Sequence, residues 1–309
     1  MFLFTSGYLS LLCKKNHRTE KGIKYMKLNK YIGHILVFIC LVSSFSAQSS
    51  DVVINKVVGR NSLVEEILTL ILSKADPAAK LKQISEELPE ARLLEQVRLK
   101  KMDLLWSGAS PNLDEQLLAV RIPLFKGLLG HRIFIIKDGH QTRFDNIKNL
   151  QQLKQFNAGQ GTRWGDTKVL KDAGLPVITT LKYPNLFYML EGERFDYYPR
   201  AIHEPWDEVA SRPELKLVVE KNILLIYPFA MYLYVNKDNQ ALHQKLVNGF
   251  EIAIADGSFD KLFFNNQMIK DALQKTNLKN RTVIRIDNPN MHPDTPIDRP
   301  EFWLDVTNL

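Results

Sequence analysis

From Asp51 to Asp256 short runs rich in Val, Ile and Leu alternate with stretches of helical periodicity, which restricts the possible folds more than any other feature. Strand-type runs fall at Asp51–Val58, Met102–Gly108, Leu117–Leu124, Gly130–Lys137, Val177–Thr180, Arg194–Tyr198, Leu215–Val219, Ile223–Tyr227 and Met231–Asn236. Between them lie helical patterns. One follows Ser62, which with Glu65 has the spacing of a capping box; others cover Glu90–Lys101, Asp145–Phe156, Arg163–Ala173 and Asn185–Glu191. Helices dominate from Gln240 onward. The pattern predicts an α/β fold with mainly parallel sheets. The tail, Ile286–Leu309, is rich in proline and short of periodic positions, so it is expected to wrap a surface.

The formal charge of +7 would suggest a nucleic-acid partner, but it is unevenly placed. Of 41 basic and 34 acidic residues, seven and one lie in residues 1–47, which leaves 34 and 33 for the remainder. A nearly neutral body offers no basic face for a phosphate backbone, so no nucleic-acid partner is expected. Both cysteines, Cys13 and Cys40, also lie in residues 1–47, and the body therefore uses neither disulfides nor cysteine metal sites. From Met26 the chain reads as a basic head, an apolar core over Ile32–Val42 and then small residues, the layout of a secretory signal peptide. Cleavage after Ser46, Ala47 or Ser49 fits equally, and an uncleaved anchor is the alternative. Residues 1–25 read as an upstream extension and 26–47 as the signal peptide, which places the mature protein in the periplasm.

Asn157–Val177 holds the best candidate site. Gly159-Gln160-Gly161-Thr162 combines two turn-permitting glycines with a hydroxyl suited to capping the helix Arg163–Ala173. Amides at such a helix start can hold an anion, and Arg163 and Trp164 add a fixed charge and a flat apolar face. An ordinary loop-to-helix junction capped by Thr162 explains the same spacing. Trp106 and Ser107 end a buried strand, where Trp106 either stacks on a ligand or caps the core. Arg200 either faces a ligand or pairs with Glu204 or Asp207. Arg60 follows the first strand at a corresponding strand end, whereas Tyr183, Tyr197 and Tyr198 read as packing residues.

The order of these segments resembles the type II periplasmic solute-binding proteins, close to the family-3 group of amino-acid receptors. Leu150–Val177 is similar to that family's strand, glycine turn and ligand-holding helix. Met189–Tyr197 (MLEGERFDY) and Tyr232–Gly257, with its VNKD and DG turns, resemble two further parts; the likeness spans roughly residues 52–285. The resemblance implies two lobes joined by two hinge strands, placed at Ile133–Lys137 and Met231–Asn236. The first lobe would comprise 48–137 and 236–309, and the second 138–235. It also implies a monomer that closes on a small-molecule solute and serves an inner-membrane ABC permease, with no cofactor or metal. Gly159–Thr162 amides, Arg163 and Arg200 would then hold an anionic group, with Gly161 and Thr162 at the turn and Trp106 and Trp164 flanking an apolar part. The family's carboxylate-clamping arginine is replaced at the matching position by Gln116, which cannot form the bidentate pair, and Arg121 stands five residues on.

An enzyme of the same fold, similar to the dehydratases, is the competing expectation, and a sensor without a transporter is another. His203-Glu204 is the one adjacent acid/base pair, but neighbours on an extended segment face opposite ways. Nucleophile-elbow, P-loop and dinucleotide signatures are missing, and no two histidines of the body share metal-ligand spacing. No enzymatic activity is expected.

Overall fold

A computed structural model describes residues 51–306, except for the Arg60 side chain. The leader expectations over 1–47 lie outside the described residues. In chain order the strands are β1 (Val52–Ile54), β2 (Leu81–Gln83), β3 (Leu104–Gly108), β4 (Leu117–Val120), β5 (His131–Lys137), β6 (Ala158–Gly161), β7 (Val177–Thr180), β8 (Tyr198–Ala201), β9 (Leu217–Val219), β10 (Ile223–Ile226), β11 (Met231–Asn236) and β12 (Thr282–Arg285).

One layer runs β2–β1–β3–β11–β4. β1 and β2 pair in parallel, while β11 lies antiparallel between β3 and β4. β1 and β3 are joined where the Val53 amide donates to Asp103 Oδ2 at 2.6 Å and the Asp103 amide donates to Val53 O at 3.0 Å. The second layer centres on β5, antiparallel to β8, β9 and β10, with β12 parallel to β10. β6 and β7 pair in parallel, and Ala158 bridges to Tyr197 in parallel, which attaches them to β8. The sheets are thus mixed. Pairing is parallel where a helix links successive strands, and antiparallel where β5 and β11 insert among them.

Apolar periodicity explains the packing. Leu63, Ile67 and Ile71 of the helix Ser62–Ala75 are fully buried, together with Leu246 and Phe250 of the helix Gln240–Ala255. They form the main core over one face of the first layer. Tyr232, Tyr234, Leu93 and Val97 fill its other face. The two faces of the second layer are covered around Phe134, Tyr197 and Leu170 on one side and Phe187, Leu190 and Tyr198 on the other. Among the described residues no helix is long and apolar enough to cross a membrane.

The structure corrects three placements. The helix expected at Asp145–Phe156 shrinks to the turn Leu150–Leu153, preceded by a separate turn Gln141–Phe144, because Asn149 caps a new start by accepting from the Gln152 amide. β12, expected with the first lobe, adds an edge strand to the second sheet because Val283 and Ile284 extend the apolar ladder of β10. The strands expected to serve as hinges, β5 and β11, are each paired within a single sheet. The chain instead crosses between layers at Arg121–Gly130 and Tyr227–Ala230.

The two crossings lie against each other. The Leu124 amide donates to Met231 O and the Tyr227 amide to Gly130 O, each at 3.0 Å. A Cβ on residue 130 would stand 1.9 Å from Tyr227 O, so glycine is required there by close approach of backbone. Two histidines flank the first crossing. His131 Nδ1 lies 3.1 Å from Gly127 O, and His203 packs against Phe125 in a tilted arrangement with centroids 4.9 Å apart. Burial pushes both imidazoles down, to about 4.

Gly130→Ala is expected to destabilise the protein by about 1–3 kcal/mol, since the obstacle is backbone; an unchanged denaturation midpoint would show that the crossings separate freely. The histidine shifts predict a pH dependence of stability. The folded state holds both rings neutral down to pH ~4 while the unfolded chain protonates them near 6.5, so stability is full above about 6.5 and is lost as pH falls toward 4. Thermal melts across this range should show that fall in the parent and a shallower one in His203→Phe. Identical slopes in the two proteins would contradict a buried, neutral His203.

Candidate functional site

The strand directions bring the carboxyl ends of β6, β7 and β8 to one edge of the second sheet, the edge where open α/β sheets place ligands. The residues that follow them are Thr162–Trp164, Leu181–Tyr183 and Ile202–Glu204. Thr162 does not cap a helix. Its amide donates to Thr180 O at 3.0 Å and so continues the ladder with β7, and the helix begins only at Gly165, running to Asp172. Trp164 occupies the N-cap position with extended backbone and no side-chain cap. The Thr167 hydroxyl instead donates back to Gly161 O at 2.7 Å. The Gly159 amide is engaged as well, donating to Tyr197 O at 2.8 Å.

Thr162 and Arg163 are exposed, and Arg163 makes no ion pair among the described residues. Trp164 is half-buried. Its ring packs over Gly161 and lies nearly parallel to Tyr198, 6.3 Å away at 19°. Beneath it sits Arg200, with its guanidinium carbon 5.3 Å from the Trp164 centroid and 4.9 Å from that of Tyr198.

Arg200 is committed to the protein itself. Its Nε and Nη2 donate to the two oxygens of Glu208 at 2.8 and 2.7 Å, and Nη2 also lies 2.7 Å from Glu204 Oε1. The side chain is buried, which would lower its pKa, but Glu204 and Glu208 raise it well above the ordinary value. The salt-bridge alternative for Arg200 is therefore the one the structure takes, with Glu204 and Glu208 rather than Asp207. Burial alone would raise the Glu204 carboxyl; Arg200, His203 and Arg132 pull it down to about 2.

A second arginine extends the network. Arg132 of β5 is buried and lies 3.5 Å from Glu204 Oε2 through Nη1. Its Nη2 donates to Asp166 Oδ2 at 2.7 Å and its Nε to the Tyr227 hydroxyl at 2.9 Å. The Gln160 amide group and the Tyr227 hydroxyl also donate to Asp166 Oδ2, at 3.0 and 2.9 Å. Glu208, Arg200, Glu204, Arg132 and Asp166 thus form one buried chain along the sheet edge. Sequence reasoning missed Arg132, Asp166 and Glu208. A lone arginine inside GHRIFIIK, on the face of Phe134 and Ile136, was the available signal, because a charge at a core position needs a partner.

The facing edge belongs to β3. Trp106 is half-buried against the main core, which matches the core-capping alternative, and the Ser107 hydroxyl donates to Glu90 at 2.7 Å. Gln116, at the position expected for a carboxylate clamp, is turned onto its own helix, donating to Asn112 O and Oδ1. Arg121 is paired with Asp114 at 3.1 Å. Arg60 falls in the short turn Gly59–Asn61, and its side chain is outside the described residues. The two edges touch: a Cβ on Gly165 would stand 2.1 Å from Ala109 O. Beside that contact, a cavity lined by Ala109, Val169, Phe229 and Asn288 has a volume of about 10 Å³, room for about one water.

His203 and Glu204, the acid/base pair that the sequence offers, influence each other electrostatically but make different contacts. His203 packs against Phe125, while Glu204 also accepts from the Ala201 amide at 2.8 Å. Among the described residues no group of three His, Cys, Asp or Glu side chains could hold a metal ion.

No protein-family model matches the chain, and neither does any curated protein. Solved structures do. An ancestral arginine-binding protein bound to arginine is 18% identical, with 70% of this chain and 97% of that one covered and a TM-score of 0.51. The probable amino-acid ABC transporter extracellular-binding protein ytmK from Bacillus subtilis is 15% identical, with 72% and 99% covered and a TM-score of 0.52. The amino acid ABC transporter substrate-binding protein AbpA from Streptococcus pneumoniae, bound to L-arginine, is 15% identical, with 72% and 95% covered and a TM-score of 0.50. With strand order, crossings and strand-end site in place, this likeness shows that the chain has the two-lobed α/β fold of the type II periplasmic binding proteins, as found in amino-acid ABC transporter substrate-binding proteins.

Proposed function

We propose that the chain is an exported solute-binding protein that closes its two lobes on a small polar or anionic solute and delivers it to an ABC-type importer. The lobes are taken as the first sheet with its helices, over about 51–120 and 231–281, and the second sheet, over about 131–226 with β12. The signal-peptide layout of 26–47 supports a periplasmic location, and the protein is taken to act as a monomer.

One observation carries the proposal. Arg132, Arg200 and Arg121 are all engaged by carboxylates, whereas Arg163 stands exposed at the carboxyl edge of β6, beside the uncapped start of the helix Gly165–Asp172. A positive side chain at a helix start is an unfavourable placement unless an anion joins it. The Gly159 and Thr162 amides are engaged in the ladder, so the amides opening the helix at Gly165, with Arg163, would receive the anionic group. Trp164 would border it and Arg200 would hold Trp164 in place from below. Solute entry requires the Gly165–Ala109 contact to part.

The test is a thermal-shift screen of residues 50–309 against amino acids, organic acids, small peptides, polyamines and sugars. A ligand that binds only the folded state raises the melting temperature by mass action. A hit from the amino acids or organic acids is expected; hits confined to sugars or polyamines would overturn the anionic assignment, and no hit at all would overturn solute binding. Arg163→Ala should then abolish the shift while altering unliganded stability by no more than about 0.5 kcal/mol, as for an exposed unpaired side chain. Arg200→Ala should cost about 3–5 kcal/mol by removing the cation that neutralises buried Glu208 and one of the two that face Glu204, whatever it does to binding. If the two variants exchanged these behaviours, Arg200 would be the ligand contact and Arg163 structural.

A further inference from the structure

The C-terminal segment touches every part that would have to move if the lobes parted. It leaves the second sheet at β12, and the Ile286 amide continues the ladder to Ile226 O at 3.0 Å. Asn288, buried at 8% exposure, donates from Nδ2 to Pro228 O in the middle of the second crossing at 2.8 Å. Asn290 donates to Asp172 at 2.7 Å, at the end of the helix that begins at the candidate site. The chain then reaches the other layer. Phe302 and Val306, each 1% exposed, belong to the main core beneath the first sheet. On the way the Leu304 amide donates to Lys126 O at 2.8 Å, on the first crossing, and the Trp303 ring lies against Gly127. Lys126 is itself held, donating from Nζ to Asp260 at 2.7 Å and to Glu301 O at 2.5 Å.

We propose that residues 286–306 form a strap that sets how far the two lobes can separate. Two crossings alone behave as a hinge, because a few backbone torsions absorb the rotation. A third connection with one end in the second sheet and the other in the first-sheet core removes that freedom, since rotation must lengthen it or unseat an anchor. Trp303 stiffens the middle of the strap by donating to Pro296 O at 2.8 Å, and the prolines of this stretch limit the torsions with which it could stretch. The strap acts on lobe motion whatever the solute, and so stands apart from the binding assignment.

The cysteine-free body makes the test direct, since Cys13 and Cys40 both fall in residues 1–47. Cysteines introduced at exposed Leu99, in the first lobe, and exposed Tyr188, in the second, carry a pair of spin labels on residues 50–309. The parent should give one narrow distance distribution. The double variant Asn288→Ala with Asn290→Ala, which loses polar anchors but no core side chain, should give a longer and broader one. Hydrogen exchange at the Leu124 and Tyr227 amides, which join the crossings, should quicken about tenfold, or about 1.4 kcal/mol of lost protection, while amides of the helix Gln240–Ala255 keep their rates. Unchanged distances and exchange in a variant with the parent's circular dichroism would overturn the strap. A uniform rise in exchange that includes Gln240–Ala255 would also overturn it, by making the segment merely part of the core.

Discussion

The arrangement at the sheet edge depends on the pairing of two buried guanidinium groups with three carboxylates. Neither Arg132 nor Arg200 could remain charged at its depth without a partner, and neither can lose its proton. Glu204 lies between them, and its carboxylate stays ionised because both arginines face it. Glu208 and Asp166 complete the chain at either end. The partners come from four separate segments, so β5, β8, the helix Gly165–Asp172 and the helix Pro205–Ala210 must all be in register for the charges to be matched. Such a network contributes little net stability over an apolar replacement, but it penalises any misplacement of its members.

That constraint also accounts for the aromatic layer above it. Trp164, Tyr183 and Tyr198 converge on the Arg200 guanidinium, each with its ring centroid within 6 Å. Because Arg200 is fixed bidentately by Glu208, these rings rest on a rigid plane, and the half-buried Trp164 presents its outer surface in a defined position. The exposed side chain of Arg163 is one residue away, on backbone anchored by Thr162 to β7.

Much of the framework was legible in the sequence because strand and helix periodicities report which residues face a core. GHRIFIIK and MYLYVN are strands, as their apolar density implies, and the α/β class followed from their alternation with helices. The helix start at Thr162 was not legible, since a hydroxyl that can cap a helix is equally able to remain in a ladder, and only pairing with Thr180 decides between them. Nor was the crossing position. A strand that leaves one lobe and a strand that enters the other have the same pattern, and the contact between Gly130 and Tyr227 joins residues far apart in the chain. At the site, Trp106 and Trp164 were recognisable by type, and of the partners that the neighbourhood of Arg200 offered Glu204 is one, but the second is Glu208, the residue after the expected Asp207.

The backbone contact between Gly165 and Ala109 has a thermodynamic consequence. In the proposed solute-binding role, entry has to part these two edges, so a solute would compete with a contact that the protein makes with itself. The apparent dissociation constant is then the intrinsic one divided by the fraction of molecules in the competent, parted form. Each ~1.4 kcal/mol by which the self-contact favours closure weakens apparent affinity about tenfold. A side chain added at residue 165 would therefore act on affinity through that fraction, by disfavouring the occluded population, in addition to whatever it does to the amides that open the helix.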